Sequence, residues 1–324
     1  MSLPLAELHC HIEGAAPPAL VEKLGEKYGV DLDGTIKNGR YVWSDFTEFL
    51  NCYDRASSVF RSGDDYRELT HTYFLDLASQ GAIYGEVFGS PDHAAAMGIS
   101  YSDLVDGISA GIEDAKAETG IEGRIIMICL RHLGPDSAVA VARTVADNPH
   151  PTVTGFGMAG DERAFTAQDF APAFVIARDG GLGLTSHAGE FGGPQSVVDT
   201  LDHLHVTRVG HGVRAIEDPA LVERLAREEI VLEVCPRSNM ALGVYETPED
   251  HPLAALKAAG VKVTLNSDDP PFFDTTLVHD YAFARGHAGF SEADLLACTR
   301  TAIEAAFVDE DTRAALLKQC AASA

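Results

Sequence analysis

Four short stretches of the chain carry residue types that can bind a divalent metal ion and move protons. They are His9-Cys10-His11, His187-Ala188-Gly189-Glu190, Gly210-His211-Gly212 and Asn266-Ser267-Asp268-Asp269-Pro270. Imidazole nitrogens with one carboxylate oxygen form the kind of ligand set that Zn²⁺ prefers. A nearby carboxyl group that does not bind the metal can transfer a proton during hydrolysis. The residue types therefore predict a mononuclear metal site in a hydrolytic enzyme.

Each stretch also has an interpretation without a metal. The histidines could be ordinary buried side chains, Glu190 could begin a helix, and Asp268 and Asp269 could belong to a surface turn. Two adjacent carboxylates at a buried strand end, however, are costly unless a cation pairs with one of them. Each stretch directly follows a short apolar run. Four independent accidents at four strand ends would be needed to reproduce the pattern, which therefore favours the metal site.

A repeated strand-then-helix rhythm would position these residues. The apolar runs that we interpret as strands are Ala6–His11, Ile83–Phe88, Arg124–Arg131, Val153–Met158, Gly183–His187, Arg208–His211, Ile230–Cys235 and Val261–Asn266. Strands alternating with helices form a parallel sheet, and eight such units close into a (β/α)8 TIM barrel of the α/β class. The carboxyl ends of its strands open onto one face, where active sites lie. We predict one barrel domain over residues 1–324.

Two regions exceed this rhythm. Residues from about 31 to 80 separate the first two strands and are too long for one crossover helix, and residues 291–324 are rich in Ala and Leu. The first region predicts extra helices, which could pack on the barrel or form a lid whose apolar face borders the active site. The second predicts closing helices at the C-terminus.

The composition argues against several classes of function. With 24 Lys+Arg against 49 Asp+Glu, the net charge of −25 argues against a nucleic-acid partner. No apolar run reaches the roughly 18 to 20 residues of a membrane span, and residues 1–5 lack the features of a secretory signal, so we expect a cytoplasmic protein without a membrane partner. The six cysteines form no CxxC pair, and we expect buried free thiols. The sequence leaves the oligomeric state open.

In order and spacing, the motifs resemble those of the adenosine/adenine deaminase family of the amidohydrolase superfamily. The similarity runs from Ala6–His11 to Leu265–Pro270 and includes Arg208–Gly212 and Glu233–Pro236. Binuclear members of the superfamily carry a carboxylated lysine on a middle strand, and the run Val153–Met158 has no lysine. The resemblance therefore implies one Zn²⁺ per chain.

The resemblance also implies roles for individual residues. The implied zinc ligands are His9, His11, His187 and Asp268. Glu190 would protonate N1 of a 6-aminopurine, and His211 would assist the activation of water. Asp269 would hydrogen-bond the purine at N7, so that ammonia leaves and a 6-oxopurine remains. A relative without catalytic activity, the alternative of a different class, would be expected to have lost a ligand or Glu190.

The substrate among the 6-aminopurines is less well determined by the resemblance. Gly160 is similar to the glycine whose backbone N–H contacts N3 in nucleoside deaminases. Four apolar residues also match the segment that covers ribose in those enzymes: Phe46, Phe49, Leu50 and Tyr53. Against this, Glu13 stands where adenosine deaminases have Asp and adenine deaminases more typically have Glu, and Gly157 replaces a common aspartate. We predict conversion of adenosine or 2′-deoxyadenosine to the inosine product, with adenine or a modified adenine nucleoside as the alternative substrate.

Overall fold

The computed structural model describes residues 3–322, so Met1 and Ser2, which belong to the segment used for the secretory-signal prediction, lie outside the described residues, as do residues 323 and 324. Within that range, no helix combines the length and apolar character that a membrane span requires. All six cysteines are buried free thiols, as predicted.

Eight parallel strands, hydrogen-bonded in chain order, form the central sheet. They are β1 (Leu5–Glu7), β4 (Ala82–Gly89), β5 (Glu122–Leu130), β6 (Val153–Ala159), β7 (Gly183–Ala188), β8 (Arg208–His211), β9 (Val231–Val234) and β10 (Lys262–Leu265). A short antiparallel hairpin of β2 (Ile36–Lys37) and β3 (Arg40–Tyr41) lies outside this sheet. The strands are mostly apolar and mostly buried on both faces, as expected when helices surround a parallel barrel, and the buried charged exceptions include Glu86, Arg208 and Glu233.

The first and last strands approach each other just beyond their carboxyl ends. Cys10 and Asp268 form a parallel bridge, His11 N donates to Asp268 O at 3.1 Å, and Asp268 N donates to His9 O at 3.0 Å. The predicted (β/α)8 barrel is confirmed. The first strand is shorter than the predicted Ala6–His11, because Cys10 and His11 pair only through single bridges, to Asp268 and Phe88.

Helices connect the strands and surround the barrel. They are α1 (Pro18–Tyr28), α2 (Phe46–Ser57), α3 (Gly63–Ser79), α4 (Pro91–Ala96), α5 (Tyr101–Thr119), α6 (Pro135–Asp147), α7 (Ala167–Asp179), α8 (Pro194–Leu204), α9 (Pro219–Arg227), α10 (Pro236–Ala241), α11 (Leu253–Ala258), α12 (Leu277–Gly286), α13 (Glu292–Ala305) and α14 (Glu310–Ala322). Short 3₁₀ turns occupy Glu13–Ala15, Arg131–Leu133, Val213–Glu217 and Pro248–Asp250.

In the region after the first strand, helices α2 and α3 lie in different parts of the structure. Helix α3 packs against α5 and β4 on the outside of the barrel. Helix α2 instead contributes Phe46, Phe49, Leu50 and Tyr53 to a cavity at the carboxyl ends of the strands. At the other end of the chain, α13 packs against β1 and β10, and α14 packs on α13.

Candidate active site

Three imidazoles and one carboxylate meet where β1, β7 and β10 end. His187 Nε2 lies 3.1 Å from His9 Nε2 and 3.2 Å from His11 Nε2. Asp268 Oδ1 lies 3.5 Å from the same two nitrogens of His9 and His11. Four ligands arranged tetrahedrally at zinc bond lengths would be separated by roughly 3.3 Å. The spacing of these atoms therefore matches the edges of a tetrahedral metal site.

In His9 and His187, the hydrogen bond at Nδ1 determines that the other ring nitrogen, Nε2, is the acceptor that faces the centre. His9 Nδ1 lies 2.8 Å from Glu233 Oε2, and His187 Nδ1 lies 3.0 Å from the carbonyl oxygen of Met158. Both partners are acceptors, so in the neutral rings both Nδ1 atoms carry the proton. The two Nε2 lone pairs then face each other across 3.1 Å, an arrangement that is unfavourable without a cation between them.

The charges of the surrounding groups also favour a cation at this point. Burial opposes a positive charge on His9, yet hydrogen bonds with Asp268 and Glu233 outweigh it and raise the pKa of His9 to about 10. The surroundings therefore favour a positive charge at this ring, which a metal ion bound at Nε2 would supply in place of the proton. Burial lowers the pKa of His11 to about 3, so this ring is neutral at pH 7, as a metal ligand must be. The residues at this centre therefore fit a bound divalent metal ion.

His211 lies beside this group, and its ring has a different orientation. Ligand atoms of His9, His187, His211 and Asp268 all lie within 4.8 Å of one another. His211 Nε2, however, is 4.0 Å from the second carboxylate oxygen, Asp268 Oδ2, which also accepts a hydrogen bond from Ser238 at 2.6 Å. Since His11 has the shorter distances, the geometry favours His11 as a ligand and His211 as its neighbour.

A chain of hydrogen bonds assigns the proton on His211. Leu253 N donates to His251 Nδ1 at 3.3 Å, so His251 Nε2 carries a proton and donates to Asn239 Oδ1 at 3.2 Å. The Asn239 amide nitrogen then faces His211 Nδ1 at 3.3 Å and Glu190 Oε1 at 3.4 Å as a donor. His211 accepts at Nδ1, and its Nε2–H therefore faces the metal centre.

The backbone at two of these residues adopts the left-handed conformation. His211 has a φ of 60° and Asp268 a φ of 64°, which non-glycine residues adopt rarely and usually where surrounding contacts hold them. Gly210 precedes His211, and a Cβ at Gly210 would lie 2.7 Å from the His9 ring. A glycine is therefore needed at position 210 for His9 to pack against β8.

Glu190 is held in a turn that another carboxylate organises. Glu162 accepts backbone N–H groups from Glu190, Phe191 and Gly192 at 3.2, 2.9 and 2.7 Å. The Glu190 side chain is buried, and burial raises its pKa well above the usual range, with the nearby charge of Asp268 adding to the effect. A neutral carboxyl group at this position can donate a proton.

Asp269 lies in the same cavity and is also buried. A Cβ on Gly14 would collide with Asp269 Oδ1, so this close approach requires a glycine at position 14. Oδ1 has no hydrogen-bond partner among the described residues. Burial raises the pKa of Asp269 well above its usual range, and the adjacent Asp268 charge acts in the same direction. This side chain can therefore also present a neutral carboxyl group.

The cavity that joins these groups has a volume of about 100 Å³. The structure brings the following sequence-predicted residues to its walls: His11, His187, Glu190, His211, Asp268, Asp269, Gly160, Phe46, Phe49, Leu50 and Tyr53. Glu13 is not among the described lining residues. It is 1% exposed, and its carboxylate accepts from Tyr66 Oη at 2.9 Å and from Tyr53 Oη at 3.4 Å. Its acceptor oxygens are thus occupied by tyrosines.

Sequence reasoning gave no role to four supporting residues, although Glu233 lies in a stretch that carries the family resemblance. They are Glu162, Glu233, Ser238 and Asn239. Glu233 had a usable signal, since it is a charged residue inside an otherwise apolar strand. The positions of the other three depend on turns and helix starts that bring them to the site from different parts of the barrel. Their contacts are tertiary and have no local sequence pattern.

The whole chain can be compared with known proteins. Residues 4–323 match the sequence model of the family described as adenosine deaminase. The chain is 57% identical over 311 residues to an adenine deaminase of Chelativorans sp. (strain BNC1), with 96% of each protein covered. It is 54% identical over 312 residues to an adenine deaminase of Agrobacterium fabrum, again with 96% of each covered.

Solved structures of related proteins also resemble the fold of this chain. An adenine deaminase from Arthrobacter aurescens superimposes with a TM-score of 0.93 at 29% identity, over 99% of this chain and 98% of that one. An amidohydrolase from Burkholderia ambifaria, with bound zinc, superimposes with a TM-score of 0.90 at 30% identity, over 99% of this chain and 90% of that one. The chain belongs to the adenosine deaminase family of the amidohydrolase superfamily.

Proposed function

We propose that this enzyme deaminates adenine to hypoxanthine and ammonia, and that it does so with one bound Zn²⁺. The relatives at 57% and 54% identity carry the name adenine deaminase, as does the structural neighbour from Arthrobacter aurescens. These comparisons support the prediction of a 6-aminopurine deaminase. Between its two substrates they favour the alternative, adenine, over adenosine.

The observation that carries the choice of substrate is the environment of Glu13. A sugar hydroxyl needs a free hydrogen-bonding group at the end of the cavity, and a site without one cannot repay its desolvation. Both Glu13 oxygens already accept hydrogen bonds from Tyr66 and Tyr53, and Tyr53 lines the cavity where Glu13 does not. We infer that Tyr53 and Glu13 leave no free hydrogen-bonding group for a ribose at this end of the cavity.

The metal centre would be formed by four residues of this chain. We assign His9, His11, His187 and Asp268 as ligands, because their atoms lie 3.1 to 3.5 Å apart and two of their lone pairs otherwise face each other. The amidohydrolase from Burkholderia ambifaria holds zinc, and a mainly nitrogen ligand set suits that ion. When bound, zinc would make water sufficiently acidic to react near neutral pH.

Three side chains would act on the purine itself. Glu190, whose burial favours its protonated form, would donate a proton to N1 and make C6 more electrophilic. His211 Nε2–H stabilises negative charge that develops beside C6. Asp269, whose burial also favours its protonated form, would donate to N7 and orient the ring. The backbone N–H of Gly160, on the cavity wall, would contact N3.

Adenosine or a modified adenine nucleoside is a second candidate substrate, because the apolar residues of α2 are compatible with a sugar. Phe46, Phe49 and Leu50 line the cavity and could cover a sugar as readily as a bare ring.

Proof of the reaction itself requires product analysis. Purified enzyme loaded with zinc should convert adenine to hypoxanthine with one ammonia per turnover, and metal-stripped enzyme should not. Zinc-loaded enzyme that consumes no 6-aminopurine would overturn the proposal.

A further inference from the structure

Fully buried charged side chains inside the barrel form a group that reaches His9. Arg208 on β8 is 0% exposed. Its Nη2 lies 2.7 Å from Glu86 Oε2 on β4, and its Nε lies 2.7 Å from Glu233 Oε1 on β9. The guanidinium carbon is 3.7 Å from the centre of the Phe307 ring. An unpaired charge in such surroundings is strongly unfavourable, so the three charged groups depend on one another.

The two carboxylates on Arg208 have different second partners. Glu86 accepts from the Tyr84 hydroxyl and from Phe307 N, both at 2.7 Å. Glu233 accepts from the Thr185 hydroxyl at 3.0 Å and from His9 Nδ1 at 2.8 Å. Both glutamates are 0% exposed and both pair with the same arginine. In the described chain, only Glu233 of these two contacts a residue of the candidate metal centre.

The described side-chain partners of Glu233 are the Arg208 guanidinium, which forms an ion pair with it, and the Thr185 hydroxyl and His9 imidazole, which donate hydrogen bonds. Arg208 and Thr185 hold Oε1, so Oε2 is left to accept the His9 proton. A carboxylate acceptor fixes the tautomer and orientation of an imidazole and raises the basicity of its other nitrogen. The outer nitrogen of His187 has only a neutral acceptor, the Met158 carbonyl. Of these two ligands, His9 is therefore the one whose outer partner is charged.

We propose that Glu233, held by Arg208 and Thr185, is a positioning residue that sets the affinity of the centre for its metal ion through His9. This inference rests on the metal centre of the proposed function and adds to it a residue that touches neither metal nor substrate. It also explains why a buried arginine lies at this place. Arg208 keeps Glu233 ionised and oriented inside the barrel, where an isolated carboxylate would be too costly.

Two isosteric substitutions separate metal affinity from structural stability. Glu233→Gln places an amide N–H₂ among donors and removes the charge that faces His9, whereas Glu86→Gln removes an equally buried partner of Arg208 without touching His9. Each protein is stripped of metal, its melting temperature is recorded, and its Zn²⁺ affinity is measured by competition with a chromophoric chelator.

We expect Glu233→Gln to bind Zn²⁺ about 10- to 100-fold more weakly than the parent protein. Glu86→Gln should lose stability to a similar extent yet retain Zn²⁺ affinity within about twofold, because His9 keeps its carboxylate. Unchanged affinity in Glu233→Gln would overturn the proposal. Equal weakening in both variants would do the same, since it would indicate general destabilisation.

If Glu233→Gln does not fold, the same measurement of Zn²⁺ affinity is made on a milder variant. Thr185→Val removes one hydrogen bond to Glu233 and leaves all charges in place. A several-fold loss of Zn²⁺ affinity supports the proposal, and no loss overturns it. None of these measurements uses the reaction. A parent protein that binds Zn²⁺ but leaves adenine intact would refute the proposed function and not this inference.

Discussion

At the residue scale, carboxyl groups of this site lie close together, yet their pKa values are shifted in opposite directions. Burial opposes ionisation of Asp268, but the hydrogen bond with His9 and the neighbouring imidazoles hold the pKa of Asp268 well below its usual range. Burial raises the pKa values of Glu190 and Asp269 instead. Groups whose pKa values are driven apart in this way are commonly the ligand and the proton donors of one reaction.

Replacing Glu190 tests the assignment of the proton donor. Glu190→Gln keeps the shape of the side chain and removes its acidic proton, so kcat for adenine should fall by about 10²- to 10⁴-fold. The zinc content should not change, because Glu190 is not among the assigned ligands. Glu217→Gln, which alters a surface carboxylate paired with Arg214, serves as the control and should retain kcat. Normal turnover by Glu190→Gln would remove Glu190 from the mechanism.

Shortening Glu13 tests the basis of substrate choice. Glu13→Asp withdraws the carboxylate by one methylene from Tyr66 and Tyr53, which should free space and an acceptor for a sugar. The ratio of kcat/KM for adenosine to that for adenine should rise by roughly tenfold or more, the size expected for one methylene in a pocket. Tyr66→Phe, which removes one donor to Glu13, should change the ratio in the same direction. If neither variant changes it, selectivity resides elsewhere, for example in α2.

At the scale of elements, hydrophobic pattern predicted the barrel well because each strand is a separate apolar run followed by a helix. The same pattern placed His187, His211 and Asp268 at strand ends. The extent of the first strand could not be obtained in this way, since its end depends on pairing with residues 88 and 268. The choice of substrate could not be predicted from the hydrophobic pattern either, because the apolar face of α2 suits a free base and a nucleoside equally.

Helix α2 links the candidate substrate cavity to the turn that holds Glu190. The Phe46 ring lies 4.6 Å from the Phe191 ring, centre to centre. Asp45 caps the helix, its side chain accepting from Glu48 N at 2.9 Å. Asp45→Ala should destabilise this first turn by about 1 kcal/mol and raise KM for adenine several-fold without loss of zinc.

A second cap provides the control for that measurement. Ser100 caps α5 in the same manner, accepting from Asp103 N at 3.1 Å, and Ser100 does not line the cavity. Ser100→Ala should lower the free energy of unfolding by a similar amount and leave KM unchanged. Equal KM values for the two variants and the parent would show that order in α2 does not limit binding.

At the scale of the whole molecule, the assigned ligands join parts of the chain that are far apart in sequence. His9 and His11 follow the first strand, His187 ends β7, and Asp268 follows the last strand. A metal ion at this centre would therefore bridge the closure between β1 and β10. Because it binds only the folded barrel, zinc at 100 times its Kd should add about 2.7 kcal/mol to the free energy of unfolding.

Metal removal should consequently lower the melting temperature by several degrees, and restored zinc should reverse the change. Differential scanning fluorimetry of stripped and reloaded protein measures this directly. In His187→Ala the zinc-dependent gain should be lost or sharply reduced. A melting temperature that does not respond to zinc in the parent protein would contradict the assignment of the centre.

The central claim is that the cavity accepts a free 6-aminopurine in preference to its nucleoside. Ultraviolet monitoring of purified, zinc-loaded enzyme with adenine and adenosine in parallel gives kcat/KM for each. The environment of Glu13 predicts that kcat/KM for adenine is at least about 100-fold higher than that for adenosine, since the hydroxyl groups of a ribose would find both Glu13 oxygens already bonded to tyrosines. A higher kcat/KM for adenosine would contradict the account.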